Sequence, residues 1–442
     1  MKKHIILLIL LALIVRIPFF IMVLQNPTTA YTSHDSVGYN LIATNLLHNH
    51  SYSMYLSNPE IKDPVRTPGY PLFLALMYGV FLEKTVFVVA AQLLMDVIMV
   101  LILLFFGKVL FNEKVGMIAA LLYTFNMHQA LFATQILAET LFTIFLLLGV
   151  LFFLLYLKNK REGIVLISGF SLGISIFIRP IALVFPVLPL IFLIYKKVHG
   201  KIISVFLISI ILLPFLWSVR NALVFKRFFY TKIHSVNLVI YNAPSIVADI
   251  ENVSRNQAKD TFLKYEKEKY GLSDYDIEHF DDNPALCNRL AADAIKLVIS
   301  HPVSFLKNQM IGILHTFIPV NIGFTAAVLQ GKGSVIKLRP IYRESLQLIL
   351  KAKVLAASKL FVRQRIEKID FSIWIFICAV IIYQFAMYYM VVKGIGRYHF
   401  NIVTLFVLIS IAFFLIIPGE VGEARFRVPV EPLIALLAAL GF

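Results

Sequence analysis

Asp35, Arg66, Glu139, Arg179, Arg220, Glu420, Glu423, Arg425 and Arg427 stand at the edges of apolar runs in a chain with few charges. Arg16 and Glu139 lie within or against such runs, where an ionisable group is expensive and usually faces a polar cavity. Arg179 precedes Pro180, Arg220 precedes Asn221, and each closes an apolar run; Glu420, Glu423, Arg425 and Arg427 crowd one short turn before Pro429. Together they place carboxylates and guanidiniums in several separate loops on one side of a membrane. An active site for an anionic, lipid-borne substrate requires that arrangement. A guanidinium holds phosphate through a planar, bidentate fork.

Two of these residues have a plain structural reading beside the chemical one. Asp35 begins a segment in which Tyr39, Ile42, Ala43, Leu46 and Leu47 share one helical face, which predicts a helix lying on the membrane surface. Asp there also suits an N-cap. Arg66 follows Asp63-Pro64-Val65 and precedes Pro68 and Pro71, so the segment is a stiff turn. An interfacial arginine can equally snorkel to lipid headgroups. His48 and His50 lack a third ligand and carry little metal signal. Asn252-Val253-Ser254 matches a glycosylation acceptor, a pattern that chance often supplies. No phosphate-binding glycine loop, metalloprotease helix or serine nucleophile elbow occurs, which argues against a nucleotide-driven pump.

The elements that must position these groups are membrane spans. The chain has 442 residues, 59% of them hydrophobic, with a mean hydropathy of +0.82. A hydrocarbon core about 30 Å thick needs roughly 20 apolar residues per helix, and about ten spans can be drawn. They are Ile5–Leu24, Thr85–Phe106, Val115–Thr124, a run from Ile136 to before Lys158, Ile164–Ile178, Ile181–Tyr195, Ile203–Val219, Phe371–Val392, Ile402–Ile417 and Val428–Phe442. The chain reads as one transmembrane domain over residues 1–442, with a first extracytoplasmic loop at 25–84 bearing surface helices and an extracytoplasmic helical segment at 221–370. The formal charge of +16 is clustered between spans, as at Lys158, Lys160 and Arg161, then Lys196, Lys197 and Lys201. That is the positive-inside pattern rather than a nucleic-acid surface. The N-terminus, Met1-Lys2-Lys3-His4 before an apolar run, reads as an uncleaved first helix starting in the cytoplasm of a multi-pass plasma or inner membrane protein. Cys287 and Cys378 make no disulfide framework.

Pro302–Val320 is ambiguous, being apolar but carrying Lys307, Asn308, Gln309 and His315. If it spans, Glu420–Arg427 falls in the cytoplasm, as the basic stretch 332–368 suggests. If it lies along the interface, those charges face outside, as Lys393 and Arg397 in a short loop suggest. Short loops weigh most in the charge rule, which favours the second.

The order of these motifs resembles a known family. It runs from an Arg late in the first span to Asp35 with Gly38-Tyr39 and Ile42-Ala43, then Arg66-Thr-Pro-Gly-Tyr-Pro-Leu-Phe and Ala138-Glu139-Thr-Leu-Phe. It continues through Arg179-Pro180, Arg220-Asn221 and His301-Pro302 to Arg425-Phe-Arg427-Val-Pro429. The chain is similar to the polyprenyl-phosphate-sugar-dependent membrane glycosyltransferases, those of the protein O-mannosyltransferases and the aminoarabinose transferase of lipid A (glycosyltransferase family 39-like). The resemblance implies an all-α fold of many transmembrane helices with extracytoplasmic juxtamembrane helices, the C-type glycosyltransferase fold. It implies an inverting transfer from a polyprenyl-phosphate sugar to a glycan, lipid or protein hydroxyl at the outer face. Asp35 and Glu139 take the catalytic acidic positions, with Arg66, Arg179, Arg425 and Arg427 at the donor phosphate. Arg16, Tyr39, Tyr70, Arg220 and Glu420 support them. Protein mannosyltransferases carry a second acid after the first; here Ser36 follows Asp35, which points away from a protein-mannosyl role.

The chemistry is coherent with those roles. The leaving group is a polyprenyl phosphate, whose growing charge preorganised guanidiniums would stabilise, and a carboxylate can take the acceptor proton. Activation is stored in the donor, so no cofactor, nucleotide or metal is expected; the partners are donor, acceptor and membrane lipids, not nucleic acid. The competing readings are an O-antigen polymerase or ligase and a secondary transporter. The former would be expected to use arginine and histidine. The latter would be expected to show repeated halves or charges at mid-membrane, and neither is evident.

Overall fold

The computed structural model describes residues 2–331, 369–397 and 401–442, which are helical with no strand among them. In chain order the first helices are α1 (Lys2–Gln25), α2 (His34–His48), α3 (Gly69–Phe81), α4 (Thr85–Leu110), α5 (Glu113–Thr124), α6 (Met127–Ala133) and α7 (Glu139–Asn159). Then come α8 (Glu162–Ile178), α9 (Val187–Tyr195), α10 (Gly200–Phe225), α11 (Ile233–Asn237), α12 (Ala243–Glu251), α13 (Arg255–Tyr270), α14 (Asp274–Glu278) and α15 (Pro284–Ser300). The last are α16 (Pro302–Phe317), α17 (Ile322–Leu329), α18 (Phe371–Arg397), α19 (Ile402–Ile416) and α20 (Glu431–Ala438). Among the described residues, α1, α4, α7, α10 and α18 are each long and apolar enough to cross a membrane. The protein is a multi-pass membrane protein.

Burial sorts these helices. The most apolar stretch of α7 is 72% buried against 22% for α1 and α18, so α7 is the hub and the others are rim. Antiparallel α8 packs along α7, and α4, α10 and the C-terminal segments close the ring.

The remaining expected spans take other forms. Ile164–Ile178 and Ile402–Ile417 are present as shorter apolar helices, and Ile181–Tyr195 opens with a 3-10 turn at Pro180–Ala182 before α9. Val115–Thr124 is the first arm of a broken pair: α5 and α6 meet at 60° around Asn126, whose side chain accepts from the Gln129 N–H at 3.0 Å. Val428–Phe442 crosses the bundle as a broken helix, from the Arg425 turn to Phe442, whose carbonyl accepts from Lys114 at 3.2 Å, with 3-10 turns at Ala424–Val430 and Ala439–Gly441 on either side of α20. Its regular part, α20, has eight residues, about 12 Å of rise, and every one is buried. Pro429 ahead of it and Pro432 in its first turn keep α20 from extending backwards as a long helix. The expected span Ile203–Val219 runs longer, so Arg220 and Asn221 lie inside α10 rather than after it.

The ambiguous stretch resolves into α16 and α17, bent by 43°. Ser304 at the start of α16 donates to Asp249 at 2.6 Å, while Gly331 after α17 accepts from Asn26, just past α1, at 3.3 Å. Both ends therefore lie at the end of the bundle where α1 finishes. Val303, Leu306, Met310, Leu314 and Phe317 form the exposed apolar stripe of α16, while Gly312 meets the backbone of Gly419 and Glu420. The basic stretch 332–368 lies outside the described residues.

Helices α11 to α15 form a small subdomain at the same end, with Val239, Phe262, Phe280, Cys287 and Leu290 in its core. Asn252 ends α12 in the left-handed region (φ 54) and Ser254 begins α13 with a capping box, so the glycosylation-like triplet is a helix junction. Within the subdomain, buried Glu266 neighbours Asp293, which pairs with Lys269 at 2.5 Å and Lys296 at 2.8 Å.

Candidate functional site

Asp35 stands in the first turn of α2, but it is not the cap: Ser33 is, its hydroxyl accepting the Asp35 N–H at 3.2 Å. Asp35 is thus free of a capping duty, and its carboxylate stays 41% exposed. The helix N-terminus favours its negative charge. One turn on, Gly38 leaves room for Arg66: a Cβ at Gly38 would stand 2.7 Å from the guanidinium.

The Arg66 turn is built by Asp63. One Asp63 oxygen accepts the N–H groups of Val65 and Arg66, both at 2.7 Å, and the other accepts Arg66 Nη1 at 3.0 Å. Tyr52 donates to the Arg66 carbonyl at 3.1 Å, Thr67 to the Ile178 carbonyl at 2.7 Å, and the Lys232 N–H to the Pro64 carbonyl at 3.0 Å. The turn is thereby fixed to the first loop, to α8 and to the subdomain approach.

Glu139 and Arg179 meet because α7 and α8 are an antiparallel hairpin, with Glu139 at the start of one and Arg179 capping the end of the other. Each charge sits at the helix end that favours it. The second guanidinium comes from the C-terminal turn: Arg425 donates from Nε to Glu139 and from Nη2 to Asp35, the latter at 2.6 Å. Arg179 also bonds Glu139 and lies 5.5 Å from the Phe426 ring centroid. The second carboxylate oxygen of Glu139 is buried with no protein partner. Four elements distant in sequence thus converge on one alternating cluster, Asp35–Arg425–Glu139–Arg179, with Arg66 beside it.

Electrostatics sharpen the picture outside the spans. Burial pushes the Asp35 carboxyl up, but Arg425, Arg66 and Arg179 together outweigh it and hold it at about 2. Burial and the Asp35 charge push the Tyr39 phenol up to about 12. Burial opposes the charge on Arg66, yet Asp63 and Asp35 raise it further above its ordinary range.

Several expected site residues lie elsewhere. Arg427 is fully buried: Nε bonds Glu431 at 2.5 Å, and its Nη atoms donate to the carbonyls of Thr316 at 3.1 Å, Ile318 at 2.8 Å and Pro319 at 2.7 Å. It closes the broken end of α16. Arg16 does the same for α5, donating to Asp96 at 2.8 Å and to the Thr124 carbonyl, while Tyr123 donates to Asp96 at 2.6 Å. Both arginines satisfy carbonyls that a helix break orphans, and neither is bonded to Asp35 or Glu139. Glu420 accepts from Ser245 and Arg255 and so clamps the C-terminal turn to the subdomain. Tyr70 is buried and donates to Gln92 at 2.7 Å, with Tyr39 edge-on to it at 5.0 Å. Arg220 stacks 4.6 Å from the Trp217 ring centroid and 5.4 Å from that of Tyr52, the same Tyr52 that holds the Arg66 turn. Asp63 is the functional support that sequence reasoning passed over, although Asp followed by Pro is a turn signature. Gly38 and Arg255 gave no such signal. Among the described residues no three His, Cys, Asp or Glu side chains are placed to hold a metal ion.

Residues 64–221 match the family model described as dolichyl-phosphate-mannose-protein mannosyltransferase. The match covers 158 of the 442 residues. The matched segment carries Arg66, Glu139, Arg179 and Arg220, while Asp35 and Arg425 reach the cluster from outside it. The fold is similar to that of an oligosaccharyltransferase from Archaeoglobus fulgidus in the apo form, at 12% identity and TM-score 0.48, covering 100% of this chain and 50% of that one. It is also similar to ArnT from Cupriavidus metallidurans bound to undecaprenyl phosphate, at 15% identity and TM-score 0.44, covering 100% of this chain and 77% of that one. The chain thus spans half the length of the oligosaccharyltransferase. No curated protein sequence matches it.

Proposed function

We propose that this protein is an inverting glycosyltransferase that moves a sugar from a polyprenyl-phosphate carrier to an acceptor hydroxyl at the outer face of the membrane. The observation that carries the reading is the convergence of Asp35, Glu139, Arg179 and Arg425 beside Arg66 at one end of the bundle. Arg66, Arg179 and Arg425 would hold the donor phosphate and stabilise the charge that grows on it as the anomeric C–O bond breaks. Asp35, the most exposed carboxylate of the cluster, would take the proton of the acceptor hydroxyl as its oxygen bonds the anomeric carbon. Glu139, wholly buried between two guanidiniums, would orient them. The family matched by residues 64–221, whose description names a dolichyl-phosphate-mannose donor, supports the lipid-linked donor class.

The outer-face placement rests on charge. Lys108, Lys114, Lys158, Lys160, Arg161, Lys196 and Lys197 lie at the helix ends opposite the cluster, where the positive-inside rule puts the cytoplasm.

Native mass spectrometry of wild type, Arg66→Ala and Asp35→Asn with undecaprenyl phosphate tests the donor. Wild type and Asp35→Asn should bind it in preference to phosphatidylglycerol, and Arg66→Ala should not. Asp35→Asn should then show no turnover with a panel of polyprenyl-phosphate sugars that wild type consumes. Equal retention of ordinary phospholipid by wild type removes the donor assignment. Ser57→Cys, an exposed position in the first loop, should react with an impermeant maleimide in intact cells; protection there with labelling only after lysis reverses the orientation.

A further inference from the structure

The ion pair between Arg425 and Asp35 conflicts with the role just assigned to Asp35. A carboxylate already accepting a charged hydrogen bond at 2.6 Å has that oxygen occupied, and a general base works best with a pKa near the operating pH. The three arginines around Asp35 hold it far below that, at about 2. In the unliganded protein Asp35 is therefore a poor base.

The two carboxylates that share Arg425 are not equivalent. Glu139 is 0% exposed and is also bonded by Arg179, whereas Asp35 is 41% exposed and ion-paired with Arg425 alone among the described residues. The backbone behind Arg425 is fixed: the Glu420 N–H donates to Gln309 at 3.0 Å, and Arg255 and Ser245 grip the Glu420 carboxylate. What can move is the tip of the Arg425 side chain, turning about its bond from Nε to Glu139.

We propose that Arg425 masks Asp35 until donor binds: the donor phosphate takes Nη2 from Asp35 while Nε stays on Glu139, so the base is released only in the donor-loaded protein and donor precedes acceptor. The inference rests on the donor reading above. Arg66, packed over Gly38, and Arg179, on Glu139, flank Asp35 and complete the phosphate's seat. Tyr39 and Glu139 are the other titratable groups acting on Asp35; Tyr39 stays protonated throughout this range, and Glu139 is held between Arg179 and Arg425. Arg425 is then a positioning residue whose two carboxylate partners do different work, one as pivot and one as the group released. The device also suits a site exposed to water: the base is disarmed whenever no donor is present.

Infrared difference spectroscopy on the full chain in nanodiscs reads the Asp35 carboxyl directly, with Asp35→Asn identifying its band. Undecaprenyl phosphate should raise its titration midpoint by about one pH unit or more, the loss of one charge-assisted partner, and phosphatidylglycerol should not. In Arg425→Gln the midpoint should be high without lipid and move little with it; Arg425→Lys, which keeps the charge without the fork, serves if the first variant is unstable. A wild-type midpoint unmoved while native mass spectrometry shows bound lipid phosphate overturns the mask and leaves the donor reading standing. A rise of equal size in wild type and Arg425→Gln assigns it to direct repulsion and also overturns the mask. If lipid phosphate does not bind at all, the donor reading itself fails.

Discussion

Arg66 lies flat against Gly38, one helical turn past Asp35, with three guanidinium atoms 2.7 Å from where a Cβ would stand. The glycine thus sets how closely the arginine approaches the carboxylate. Gly38→Ala should leave the fold intact, because the clash is with the far end of a flexible side chain. It should displace the guanidinium and weaken undecaprenyl phosphate binding about tenfold, ~1.4 kcal/mol. Native mass spectrometry beside a thermal melt checks both halves, and unchanged affinity would detach Arg66 from the phosphate.

Arg425 and Arg427 are two residues apart and should fail differently. Arg427→Gln leaves Glu431 buried without its cation and three carbonyls without a donor, a loss of roughly 3–5 kcal/mol, so little folded protein should survive detergent extraction. Arg425→Gln should melt closer to wild type, since Glu139 keeps Arg179, yet lose about a hundredfold in transfer rate. Fluorescence-detected size exclusion with a turnover assay separates them.

The buried pair of Arg16 with Asp96 predicts a rescue. Arg16→Met alone should destabilise by roughly 3–5 kcal/mol, and adding Asp96→Leu should recover much of the loss, because a buried pair can be replaced by packed apolar groups. Thermal midpoints of the two singles and the double in one detergent give the answer. A double mutant no better than the worse single would assign Arg16 a role beyond bracing the helix break.

Glu266 makes the subdomain sensitive to pH. Burial first, and then Asp293, push its carboxyl from an ordinary 4.5 up to about 7. The folded form therefore binds more protons than the unfolded between those values, and stability falls as pH rises from about 4.5 to 7, then levels. Glu266→Gln should flatten that slope. Hydrogen exchange of residues 255–300 at several pH values, corrected for intrinsic rates, is the measurement; an unchanged slope in the variant would place the titration elsewhere.

Apolar length and charge placement made the long spans legible, and with them the end of the bundle where the charged cluster gathers. Asp35, Arg66, Glu139, Arg179 and Arg425 were readable because charges beside apolar runs are rare. The same rarity misled at Arg16 and Arg427. A buried arginine capping a broken helix and one facing a substrate look alike in a linear chain, since what separates them is whether a carbonyl or a ligand lies opposite. The terminal run 428–442 read as one span, and its uniformly apolar composition hid the 3-10 turns on either side of α20. The bend between α16 and α17 was invisible for a related reason: apolar content records the surroundings of a segment but not where its helix breaks.

The contact between Gly312 and the turn at 419–422 has a consequence for how the protein meets membranes of different thickness. A Cβ on Gly312 would stand 2.6 Å from the Glu420 Cα, and one on Gly422 would stand 2.7 Å from the Gly312 carbonyl carbon, so main chain rests on main chain at this crossing. The depth of Arg425 is then measured chiefly from the protein's own backbone, with only the Gln309 and Thr316 side chains beside the crossing. A thinner or thicker bilayer can tilt the rim helices α1, α10 and α18 without raising or lowering the Arg425 turn against Glu139. The bundle carries its own depth gauge.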